Sequence, residues 1–130
     1  MSNFSGINPP PAQRIGGPRY LVHWKARLFM SDKVIHPATV IGIFEKGFVL
    51  RFFRATPLNT EMNIEFMVNF REEMHRIRIK GQVKYCLLRS QGDGADIDIA
   101  TTKISREDNH TLNNILQILQ ESKEFNLRQP

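Results

Sequence analysis

Apolar and polar positions alternate with period two through the middle of the chain. Met62, Ile64, Phe66, Val68 and Phe70 share one face. Asn63, Glu65 and Asn69 share the other, with Met67 among them. After a polar turn at Arg71–Glu73, Ile77, Ile79, Val83, Tyr85 and Leu87 point one way. Arg76, Arg78, Lys80, Gln82 and Lys84 point the other way. One dry and one wet face is the signature of antiparallel strands. Three earlier segments rich in branched and aromatic residues read as strands: 20–30, 34–43 with Pro37 at a bulge or edge, and 47–53. The turn Ser90–Gly94 leads to a sixth strand over 95–102, with Ile97 and Ile99 inward and Asp96 and Asp98 outward.

The period changes after Ile104. Ser105 is a good N-cap, and Glu107 and Asp108 fall in a first turn where the helix dipole favours carboxylates. Leu112, Ile115, Leu116 and Leu119 then recur at helical spacing, to about Lys123. Six strands in short steps and one terminal helix predict a mainly β fold, a small antiparallel barrel with a helical lid. Residues 1–18 lack apolar periodicity and contain Pro9–Pro11, Gly16, Gly17 and Pro18, so a flexible N-terminal tail is expected. The barrel and helix are expected over 19–123, with a C-terminal tail at 124–130.

Composition fits this outline. The 130 residues suffice for one ordinary domain, and 41% are apolar against 24% charged. No apolar run is long enough to span a bilayer, so membrane insertion is not expected. A secretory pattern is missing at the N-terminus and there is one cysteine, Cys86, which points to a cytoplasmic protein. The net charge is +5. Residues 14–54 hold eight cations (Arg14, Arg19, Lys25, Arg27, Lys33, Lys46, Arg51 and Arg54) against Asp32 and Glu45. Positive charge is therefore concentrated in the first half of the chain.

Catalytic chemistry has little to stand on. His23, His36, His75 and His110 are scattered and offer no metal-ligand spacing. No P-loop, nucleophile elbow or dinucleotide fingerprint occurs. Cys86 falls on the outward phase of its strand and reads as incidental rather than reactive. No enzyme activity, cofactor or metal is expected.

Three stretches resemble the PilZ family of bacterial signalling domains: 19–28 (RYLVHWKARL), 38–50 (ATVIGIFEKGFVL) and 77–83 (IRIKGQV). The resemblance covers roughly residues 14–122. It implies a six-stranded antiparallel barrel with a C-terminal helix, and a place in cyclic di-GMP signalling to motility, pilus, biofilm or polysaccharide machinery. Two motifs bind the nucleotide in that family. One is R-x-x-x-R before the first strand, whose guanidinium groups fork onto phosphate and guanine. The other is [D/N]-x-S-x-x-G, with small polar groups against the guanine and a glycine for the close turn.

Both motifs are altered here. Arg19 matches the second arginine, but Ile15 stands four residues earlier and Arg14 lies one position further out. In the second motif, Gly42 replaces the acid or amide, Phe44 replaces the serine, and only Gly47 matches. If a ligand is bound, the residues implied are Arg14, Arg19, Gly42, Phe44, Lys46, Gly47 and Arg51. Cyclic di-GMP binding is expected to be weakened or lost, with Phe44 as an apolar plug, and the output to pass through contact with an unidentified protein partner. The alternative is a cyclic di-GMP receptor that uses Arg14 and Arg19, with a ligand-switch loop included in the 1–18 tail. A third reading, a single-stranded nucleic-acid barrel, rests on the positive charge with Trp24, Phe44, Phe48, Phe52 and Phe53. The ladder Arg76, Arg78, Lys80 and Lys84 reads as a solvated face with partners such as Glu65 opposite Arg78. Nucleic acid is the least expected partner.

Overall fold

The computed structural model describes residues 14–128. The first thirteen residues of the expected tail lie outside the described residues. Six strands follow in chain order: β1 (Tyr20–Phe29), β2 (Ile35–Phe44), β3 (Gly47–Phe52), β4 (Glu61–Phe70), β5 (Glu73–Leu88) and β6 (Ala95–Ile104). Helix α1 spans Arg106–Arg128, so it runs past the expected end near Lys123 into the segment expected to be a tail. Every strand pair is antiparallel, in the order β1-β2-β3-β6-β5-β4, and β1 returns to β4 to close the ring. Closure removes the free edges that an open sheet would expose.

The alternation read from the sequence sets the interior. Leu28, Val40, Phe48, Leu50, Ile64, Phe66, Ile77 and Ile97 are all fully buried inside the ring. Half-buried Trp24 packs against this core, stacking on Phe66 with ring centroids 5.5 Å apart. The β4–β5 hairpin turns through Arg71 and Glu72, both with positive φ, as a two-residue primed turn requires. Helix α1 starts as predicted, with the Asp108 amide donating to the Ser105 hydroxyl at 3.1 Å. Its buried residues Leu112 and Ile115 join the core at one end of the ring.

Strand β5 departs from the expected pattern. Its register with β6 shifts between Lys80 and Gly81, and again between Val83 and Tyr85. An extra residue in one strand reverses which side chains face inward. Beyond the second shift Tyr85 pairs with Asp98 and Leu87 with Asp96, on the outer face, while Cys86 pairs with Ile97. The expectation that Tyr85 and Leu87 face inward and Cys86 outward is therefore corrected. Cys86 is half-buried against the core.

Gly47 shows how tightly β3 and β6 approach. A Cβ there would lie 1.9 Å from the Ile99 carbonyl oxygen, a backbone atom that cannot swing aside. Gly47→Ala should therefore push the two strands apart and cost about 3 kcal/mol. Gly16→Ala, where a Cβ meets nothing within 4 Å, should change stability by less than about 0.5 kcal/mol. Urea unfolding of the two variants checks the contrast.

Candidate functional site

The site is built on the outer face of β2, β3, β6 and β5. Successive cross-strand partners there are Gly42, Val49, Asp98 and Tyr85. Outward positions of a closed sheet normally meet water, yet the Asp98 side chain is 0% exposed. The segment entering β1 covers it. Arg19 donates to both carboxylate oxygens, at 3.1 and 2.7 Å. Arg14 donates from Nη2 at 3.2 Å and more weakly from Nε at 3.5 Å. The Ile15 amide adds a bond at 3.2 Å. Arg19 also donates to the Ile15 carbonyl, which ties the loop between the two arginines to the same point.

Two aromatic rings flank this carboxylate clamp. The Arg19 guanidinium carbon lies 4.5 Å from the Phe44 ring centroid, and that of Arg14 lies 5.4 Å from Tyr85. Both are cation–π distances. Burial pushes the Asp98 carboxyl up, but the bonds from Arg19 and Arg14 outweigh it and hold the group below the usual carboxylate range. The carboxylate thus takes up donors of both guanidinium groups.

The structure brings some expected site residues together and separates others. Arg14, Arg19 and Phe44 converge. Phe44 is buried and, with Leu112 and Leu116, lines a gap of about 50 Å³ under α1. It fills space rather than offering an open face. Gly42 sits in the ladder beside Val49, where a Cβ would make contact at 3.4 Å. Gly47 serves the close approach of β3 to β6. Lys46 is exposed at the β2–β3 turn, and its carbonyl accepts from the Thr101 amide at 2.9 Å. Arg51 is paired with Asp96 at 2.9 and 3.1 Å, one step along the face from Asp98.

Asp98 and Tyr85 belong to this cluster without being marked by either motif. Asp98 lies outward, as the alternation predicts, yet its side chain is sealed from water. The available signal was two carboxylates, Asp96 and Asp98, inside an isoleucine-rich strand in a chain with cations to spare. Tyr85 was hidden by the β5 register shift. Similarly, Glu65 lies on the expected wet face of β4 but is only 6% exposed, beneath Arg27 and Arg78. Among the described residues, no three His, Cys, Asp or Glu side chains gather as a metal site.

The clamp has a pH signature. A depressed folded-state pKa contributes stability above the unfolded-state pKa and loses it as pH falls through the folded-state value. Asp98→Asn should cost about 2 kcal/mol at pH 7, at the low end for a buried charged contact because Arg14 and Arg19 can partly rehydrate. The gap between wild type and variant should narrow steadily below about pH 4. Denaturant unfolding of both proteins across that range measures it.

No family model matches the sequence, and no curated protein sequence matches it. Solved structures share the architecture, among them the following two. The Bacillus subtilis inhibitor of motility MotI/DgrA superposes with a TM-score of 0.68 at 12% identity, over 90% of this chain and 54% of that one. This chain thus spans about half the length of that protein. The PilZ domain with c-di-GMP of YcgR from Escherichia coli superposes with a TM-score of 0.58 at 12% identity, over 90% of this chain and all of that one. A ring of six antiparallel strands with a C-terminal helix, matched to these structures, gives this protein a PilZ-like fold.

Proposed function

We propose that the protein is a PilZ-like signalling adaptor in a cyclic di-GMP pathway. It acts through contacts with another protein, and its own nucleotide binding is weakened or lost. The observation that carries this reading is the occupied clamp: Arg14 and Arg19 already fork onto the buried Asp98 carboxylate. A nucleotide phosphate would have to displace that carboxylate and leave it buried without partners. Stripping one partner from such a contact costs roughly 2–5 kcal/mol, a 30- to 3,000-fold loss of affinity. Phe44 adds to the deficit, because it puts a buried ring where the family's motif has a serine.

The solved neighbours support the pathway. One is a PilZ domain with c-di-GMP and the other an inhibitor of motility. Control of motility, pilus, biofilm or polysaccharide output is the corresponding role, exercised in the cytoplasm without catalysis. No helix among the described residues is long and apolar enough to cross a membrane. A nucleic-acid platform fits less well. Phe44, Phe48 and Phe52 are buried, Trp24 is stacked against Phe66, and of the five rings only Phe53 is exposed, where successive bases would need several. Stacking on bases needs exposed rings.

Calorimetric titration with cyclic di-GMP tests the reading. Wild type should take up no nucleotide at micromolar concentration. Asp98→Asn, which frees the two arginines, should bind at least about tenfold better than wild type. Micromolar binding by wild type that Arg19→Ala abolishes would overturn the adaptor reading and leave the receptor that uses Arg14 and Arg19.

A further inference from the structure

A second arginine cluster lies around the ring from Asp98, on the outer face of β1, β4 and β5. The register sets Arg27, Glu65 and Arg78 in one cross-strand row. Phe29, Asn63 and Lys80 form the row on one side, and Met67 and Arg76 continue the grid on the other. Glu65 sits at the centre and is almost completely covered. Arg27 donates to it through Nη2, and Arg78 through Nε at 3.0 Å. Arg76 approaches it at 3.9 Å. The bond from Arg27 is the main cause that holds the Glu65 carboxyl below its ordinary range, so the acid stays charged at the centre.

One carboxylate cannot neutralise three guanidinium groups. The side chains of Arg27, Arg76 and Arg78 remain 55%, 56% and 70% exposed. Each guanidinium has five donors in a rigid fork, and Arg78 gives only Nε to Glu65. The shared carboxylate therefore fixes the forks in place while most donors still face outward. Lys25 is exposed on the same face, and among the described residues Lys80 pairs with the exposed Glu61, at 3.6 Å. An open groove of about 880 Å³ adjoins the grid, with Arg78, Lys80 and Lys103 along it and Phe29 and Ile104 supplying apolar surface.

We propose that this face is a docking surface for an acidic protein segment that interleaves carboxylates with apolar side chains. Charge complementarity selects the sign of the partner, since five cations on β1, β4 and β5 and Lys103 in the groove face three carboxylates: Glu61, the covered Glu65, and Asp108, which accepts from the Arg78 amide at 3.1 Å. The planar forks match carboxylates, and Phe29 and Met67 (37% exposed) give the apolar residues somewhere to rest. Phe29 and Met67 among the cations give a peptide's apolar side chains a seat that an unbroken run of phosphates would not use. The surface does not depend on the nucleotide reading, because none of its residues contacts Asp98, Arg14 or Arg19.

The test uses the full chain and a fluorescein-labelled peptide of five Glu-Glu-Leu repeats, followed by anisotropy at low and moderate salt. Binding is expected, weakening as salt rises. Arg76→Gln/Arg78→Gln should weaken it at least about fivefold. Lys33→Gln/Arg54→Gln removes the same charge from elsewhere, since Lys33 lies in the β1–β2 turn and Arg54 follows β3, and should change it less than twofold. Should the arginine pair fail to fold, Lys25→Glu, which does not touch Glu65, reads the same face. Three results would overturn the proposal: no peptide binding, equal loss in the matched control, or tighter binding of an oligothymidine of equal charge, which would make the face one for nucleic acid.

Discussion

Asp98 is an acid placed on the outside of a closed sheet and then sealed from water. An ionised carboxylate loses a large hydration energy when it is buried, and only matched charge and hydrogen bonds can offset that loss. Here the offset comes from a segment far away in sequence: Arg14, the Ile15 amide and Arg19. The consequence is mutual. The carboxylate is tolerable only while residues 14–19 cover it, and those residues have a fixed path only because the carboxylate is there. Phe44 and Tyr85 complete the arrangement as faces for the two guanidinium groups. Every functional reading of this end of the molecule starts from whether that contact holds.

The same device recurs at Glu65 with a different outcome. At Asp98 the arginines come from a loop and are drawn down over the acid, which leaves Arg19 only a quarter exposed. At Glu65 they come from neighbouring strands of a rigid sheet, so their heads stay in solvent. One carboxylate draws a loop closed over itself while the other props a positive face open. The difference lies in where the cations are anchored, not in the chemistry of the pair.

Much of the fold was legible because strand side chains alternate strictly and one face is dry. All six strands and the Ser105-capped helix appear close to where the pattern placed them, and Glu65 does lie opposite Arg78. What failed followed from two physical causes. Register shifts in β5 change the inward phase without changing composition, so Tyr85, Cys86 and Leu87 could not be oriented from alternation alone. Burial by a partner that arrives from another part of the chain leaves no local mark, so Asp98 and Glu65 read as ordinary wet positions. The motif residues were only partly informative for a similar reason. Gly47 matches the family pattern, yet its glycine is demanded by the backbone of Ile99, whatever the ligand.

The central claim is that Arg19 and Asp98 are energetically coupled, not merely adjacent. A double-mutant cycle measures this directly, from the unfolding free energies of wild type, Arg19→Ala, Asp98→Asn and the double variant at neutral pH. A coupling of about 1–3 kcal/mol is expected, because each single change strands a charged partner that the other had satisfied. Strict additivity, within about 0.3 kcal/mol, would contradict it and would mean that the carboxylate does not hold the arginines in solution.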